Sequence, residues 1–99
     1  MKGGYPQVNT DAYRSRVMIE WRQNAPKWEQ VADVLKARIV DGTYPPDSPL
    51  PSEHLIVQEY GIARGTARKV LVRLREQGWA YAVRGLGTFV AARESWPSE

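Results

Sequence analysis

Cysteine is absent from these 99 residues. That excludes a disulfide framework and any thiolate metal site, and it is compatible with a reducing compartment. Histidine occurs once, as His54, and a single imidazole with no thiolate beside it cannot anchor a conventional zinc site. It also has no nucleophile partner, and no paired carboxylates stand near a suitable base, so enzyme chemistry finds no constellation here. Apolar runs fall far short of the ~20 residues that a bilayer-crossing helix needs. The opening MKGGYPQVNTDAYR lacks the apolar core of a signal peptide. The expectation is a cytoplasmic protein with no membrane association, no metal and no cofactor.

Acidic residues are scarce in one half of the chain. Residues 62–93 carry seven Arg and Lys against Glu76 alone, a net +6, whereas residues 28–61 carry two basic residues against six acidic ones, a net −4. The overall charge of +3 hides this asymmetry, which points to a polyanionic partner. A chain this long suffices for one domain and not for two. Hydrophobic and charged fractions of 42% and 25% are ordinary for a globular fold and argue against wholesale disorder.

The stretch from Leu50 to Gly78, LPSEHLIVQEYGIARGTARKVLVRLREQG, organises the rest. Pro51 and Ser52 predict a helix start, with the Ser oxygen accepting from an unpaired N–H and Glu53 facing the positive end of the helix dipole. Leu55, Ile56 and Tyr60 form a short apolar face that Gly61 closes. A second helix over about 63–77 follows, buried through Ala67, Val70, Leu71 and Leu74 at spacings of three and four. Its other side carries Arg64, Gly65, Arg68 and Lys69, with Thr66 near the N-terminal edge, and Gly78 stops it. A short helix, a tight turn and a second helix with basic and small residues first is what entry into a DNA major groove requires. The same residues also fit a helical hairpin whose outer face is merely solvated.

Around that stretch, residues 1–25 read as an arm containing a short helix, capped by Asp11 and striped by Tyr13, Val17 and Trp21. Pro26 suits the first turn of a core helix whose buried face is Trp28, Val31, Ala32, Leu35 and Ile39 and which ends near Gly42. Four prolines between Thr43 and Pro51 demand an extended connection. After Gly78, residues 79–84 and 88–90 have strand composition, and Gly85, Leu86 and Gly87 supply a hairpin turn. Trp79 and Tyr81 read as packing residues. Residues 93–99 read as a fraying tail or the start of a linker. The expected fold is α+β, mainly helical: a three-helix core over 26–92 with a two-stranded wing, a winged helix-turn-helix.

Four stretches also carry a family resemblance. Gly42-Thr43-Tyr44 leading to Pro45 and Pro46, Leu50-Pro51-Ser52-Glu53, Arg64-Gly65-Thr66-Ala67-Arg68 and Gly85-Leu86-Gly87-Thr88-Phe89-Val90 occur in the order found in the GntR family of bacterial transcription factors. From Trp28 to Ala92 the chain resembles that family's winged helix-turn-helix domain. Three positions depart from the pattern: Asp47 stands where the family usually has Gly, Ala63 where a Ser or Thr caps the second helix, and Gly65 where Thr is frequent.

The resemblance implies a sequence-specific DNA-binding transcriptional regulator, a repressor, with helix 63–77 in the major groove and wing residues 84–88 at the backbone or minor groove. Arg64 and Arg68 match the family's DNA-reading arginines and Thr66 a DNA-contacting hydroxyl. Gly65 lets the helix approach closely, Lys69 is a phosphate contact, and Ser52 and His54 lie at the DNA-facing helix start. Arg84, Gly85, Leu86, Gly87 and Thr88 form the wing tip. For Arg64, guanine readout and phosphate anchoring both remain open. A winged helix used for protein contacts is the rival reading, and its hallmark would be an acidic or apolar face where this one is basic. The resemblance further implies a homodimer on a palindromic operator and a small-molecule effector bound by a C-terminal domain. The expectation is therefore an excised domain, monomeric on its own, since the Tyr13–Val17–Trp21 stripe is too small for a specific interface.

Overall fold

Val31, Leu35 and Ile39 recur every four residues, and with Ala32 they are buried almost completely, so the chain winds them into helix α1, Lys27–Val40. The computed structural model describes residues 19–98. After α1 come α2 (Glu53–Tyr60), α3 (Arg64–Glu76), strands β1 (Ala80–Val83) and β2 (Gly87–Val90), and a single 3₁₀ turn at Arg93–Ser95. Helix α3 packs on both α1 and α2 and leads directly into β1. The winged helix-turn-helix order read from the sequence is the order found. Among the described residues no helix is long and apolar enough to cross a membrane.

Pro26 occupies the N-cap of α1 rather than its first turn, and it offers no side-chain cap. Gln30 instead ties the preceding segment to the first turn. Its side chain is buried, its amide donates to the carbonyls of Arg22 and Ala25 at 3.0 and 2.9 Å, and its Oε1 accepts from the Arg22 N–H at 2.8 Å. A buried amide has to be matched in this way or it destabilises the fold. The result is that residues 22–25 are bound to the helix start. Trp21 is half-buried against the core, with the Lys27 ammonium 5.1 Å from its ring centre. Most of the helix expected from Asp11 lies outside the described residues, and its end, residues 19–22, is not helical.

The proline-rich connection, expected to be extended throughout, makes a turn at Pro45–Ser48, where the Ser48 N–H and Oγ donate to Pro45 O at 3.1 and 2.6 Å, and around that turn it forms a paired edge. Asp47 N–H donates to Val90 O at 2.8 Å, Val90 N–H to Ser48 O at 2.9 Å and Leu50 N–H to Thr88 O at 2.8 Å. Pro49 faces Phe89 in an antiparallel bridge between those bonds, where its missing N–H breaks no ladder contact. Asp47 has φ 68°, which explains why glycine is usual there. Aspartate tolerates this conformation better than most residues, and its carboxylate accepts from the Tyr81 hydroxyl at 2.8 Å.

Helix α2 begins as read, with Ser52 Oγ accepting from Leu55 N–H at 3.2 Å, and ends at Gly61 in the left-handed conformation. Ile56 and Tyr60 are buried, but Leu55, expected on the same face, is 45% exposed. The pair one turn apart sets the buried axis, and Leu55 lies about 100° from Ile56 around the helix. Helix α3 buries Ala67, Val70, Leu71 and Leu74 as the spacing predicts. Gly78 follows with φ +94°, and a Cβ there would stand 2.5 Å from the Ser95 carbonyl oxygen. This position needs glycine on both counts.

The hairpin pairs Ala80 with Val90 through to Val83 with Gly87. Trp79 is buried, and the described part of the tail, residues 93–98, packs against it. Trp96 packs on Trp79 with ring centres 5.7 Å apart, donates from Nε1 to Ala91 O at 2.9 Å, and has the Arg93 guanidinium 5.0 Å from its ring centre. The order is aromatic burial winning over a polar composition.

Candidate nucleic-acid interface

Burying Ala67, Val70, Leu71 and Leu74 leaves Gly65, Arg68 and Lys69 on the exposed side of α3, with Arg64 at its N-terminal edge. The Arg64 and Arg68 side chains remain 73% and 64% exposed. The helix opens at Ala63 with no side-chain cap, so its first N–H groups are uncommitted to any side chain. Thr66 is half-buried near that end. Among the described residues nothing beyond its chain neighbours and its own helix backbone lies within 4 Å of a Cβ built at Gly65, so its smallness leaves room outward rather than serving internal packing.

Both arginines converge on one carboxylate. Arg68 donates from Nε to Glu53 Oε2 at 2.9 Å and from Nη2 to Oε1 at 3.4 Å, and Arg64 Nε stands 3.4 Å from Oε1. The Arg68 guanidinium, with the Arg64 charge beside it, holds the Glu53 carboxyl below its ordinary range, and the Glu53 carboxylate raises that of Arg68 in turn. Sequence reading assigned Glu53 only to the dipole of α2. An acid eleven and fifteen residues before two arginines, across a helix-turn-helix, was the available signal.

Between α3 and the wing lies a cleft of about 490 Å³. Ser52, Arg68, Leu86, Gly87 and Thr88 all line it, so one surface holds five of the residues singled out from sequence. Leu71 and Val72 form its apolar wall, and Arg75 lines it too. Ser52 is occupied as a helix cap, and His54 is exposed one turn into the same helix start. Arg84 and Gly85 are exposed at the wing turn, where Leu86 N–H donates to Val83 O at 2.9 Å and Gly85 and Gly87 have φ 82° and 126°. Leu86 is 74% exposed between them.

Lys69 departs from this group. Its ammonium sits 5.0 Å from the centre of the Trp28 ring on α1, and the Arg73 guanidinium sits 5.2 Å from the same ring. The attraction of a cation for an indole face draws both side chains toward α1 and away from the cleft. The arrangement offers fixed guanidinium groups, helix-end N–H groups and a glycine-hinged hairpin. Among the described residues no group of His, Asp or Glu is placed to hold a metal ion.

The family described as bacterial regulatory proteins, gntR family, matches residues 27–90. The arabinose metabolism transcriptional repressor of Geobacillus stearothermophilus is 36% identical over 66 residues, which is 67% of this chain and 18% of that protein. The HTH-type transcriptional repressor NagR of Bacillus subtilis is 41% identical over 66 residues, again 67% of this chain and 27% of its own length. The chain therefore spans a minor part of the curated relatives it matches. Among solved structures, AraR(DBD) in complex with operator ORX1 superposes with a TM-score of 0.66 at 36% identity, covering 76% of this chain and 92% of that one.

Proposed function

Because the chain belongs to the GntR family of bacterial regulatory proteins, we propose that it binds duplex DNA in a sequence-specific way as the reading domain of a cytoplasmic transcriptional repressor. The observation that carries this is the exposed Arg64 and Arg68 pair at the start of α3, joined through Glu53, with Arg68 lining one cleft together with the wing residues Leu86, Gly87 and Thr88. An α-helix of this exposure fits the major groove, and its arginines can fork onto guanine O6 and N7. The wing then lies against the neighbouring backbone or minor groove, with Arg84 and the glycines at closest approach. Ser52, His54, Thr66 and Gly65 lie along the same approach. Lys69 acts on phosphate from the Trp28 side.

In the working regulator two copies of this domain meet a palindromic operator, and a further domain supplies dimerisation and effector binding, which links two weak half-site contacts into one tight one. The test is fluorescence anisotropy with duplexes enriched from a random library. Affinity should fall steeply with salt. Arg68→Ala should weaken the enriched duplex by about 1–3 kcal/mol and relax base preference at one position. Failure to enrich or bind any duplex at low salt would overturn the reading.

A further inference from the structure

Glu53 is bound to the two arginines in a particular way. Both are gripped from the side: Arg68 through Nε at 2.9 Å and Nη2 at 3.4 Å, Arg64 through Nε at 3.4 Å. A guanidinium held along its Nε edge keeps its terminal Nη1/Nη2 edge free, and that edge presents two parallel N–H donors that can fork onto a guanine. The Glu53 carboxylate is carried on a tethered backbone. It sits in the first turn of α2, with the backbone set by the Ser52 cap and by Leu50 pairing to β2. Its side chain is 27% exposed, and among the described residues it is the one carboxylate lining the cleft.

Resting on the DNA-binding reading above, we propose that Glu53 is a positioning and selectivity residue that aims Arg64 and Arg68 at base edges and opposes their use as general phosphate binders. A phosphate drawn to these arginines meets the Glu53 carboxylate beside them, and the repulsion weakens binding wherever no base rewards the aimed edge. At a cognate site the terminal edges reach guanine while the side-on contacts to Glu53 persist. The carboxylate thus lowers affinity for arbitrary DNA more than for the cognate site.

Glu53→Gln tests this, since it keeps the shape and removes the charge. The probes are a duplex enriched from a random library by the wild-type chain and a shuffled duplex of the same length and composition. Circular dichroism confirms folding, and Glu53→Asp, which retains the charge on a shorter arm, serves as a second variant. The expected result is tighter binding of the shuffled duplex, a salt slope on it steeper by about one phosphate contact, and a cognate-to-shuffled ratio reduced by about three- to tenfold. Glu53→Asp should restore part of the ratio, and in an Arg68→Ala background Glu53→Gln should lose most of its effect. Equal weakening of both duplexes by Glu53→Gln, with ratio and slope unchanged, would make Glu53 a structural residue and overturn the inference. Absence of wild-type binding to either duplex would instead overturn the DNA reading itself.

Discussion

Replacing Ala63 by serine should stabilise the domain while leaving its fold unchanged. Ala63 already has the backbone of a helix cap, φ −68° and ψ 154°, and its carbonyl already accepts from Ala67 N–H at 3.0 Å. Ser52 shows the finished arrangement on nearly the same backbone, φ −70° and ψ 166°, with its Oγ accepting from Leu55 N–H at 3.2 Å. Ala63 is exposed, so an added hydroxyl meets no packed neighbour and loses little solvation. An N-cap of this kind contributes ~1 kcal/mol over alanine. In a domain of this size that corresponds to a rise in Tm of about 4–8 °C.

Far-ultraviolet circular dichroism on heating, with a urea titration in which the midpoint moves and the slope does not, measures it. Ser52→Ala should lose a similar amount. Ala63→Asp adds a charge favourable to the helix dipole, so it should stabilise at least as well, yet it places a negative charge at the DNA-facing end of α3 and should weaken duplex binding. If Ala63→Ser left Tm unmoved while Ser52→Ala lowered it, the cap argument at α3 would be refuted.

Gly78→Ala should destabilise by roughly 2–3 kcal/mol, from a left-handed backbone that alanine resists and from the Ser95 carbonyl in its path. Since the displaced tail carries Trp96 onto Trp79, tryptophan fluorescence should shift red even below the melting transition. Burial pushes the Glu59 carboxyl up, opposed by Arg38, and its Oε1 is buried with no hydrogen-bond partner among the described residues. The folded state therefore binds that proton more tightly than the unfolded chain does. Stability from this group falls as pH rises from the unfolded to the folded value. Glu59→Gln should raise Tm modestly at pH 7, and the advantage should disappear on acidification; an advantage independent of pH would contradict the assignment.

What the sequence made legible were features written in adjacent residues. The four-residue recurrence of Val31, Leu35 and Ile39, the cap at Ser52, the stripe from Ala67 to Leu74 and the glycines of the wing all act within one or two turns of themselves. The contacts it concealed join distant segments. Nothing local to Pro49 indicates Phe89 as its neighbour forty residues on, and nothing local to Glu53 indicates Arg68. Polar residues concealed most: nothing in the sequence around Gln30 signals the burial that the carbonyls of Arg22 and Ala25 make possible. Lys69 reads as a cation for phosphate until the Trp28 ring appears under it. Trp96 was hidden by the polar tail around it.

The pairing of residues 47–50 with β2 bears on how such a domain diversifies. The same few residues that close the wing's edge also set where α2 starts, and α2 carries Ser52 and Glu53 to the flank of α3. The distance between the helix and the hairpin proposed to meet DNA is thereby built into a hydrogen-bonded ruler. A single residue inserted between Asp47 and Pro51 would shift that ruler's register and turn its side chains over. On the proposed DNA-binding reading, preference among sequences is free to drift through substitutions on α3 and the wing tip, whereas the span between these two elements is not, and any mismatch in groove spacing falls to the duplex to absorb by bending.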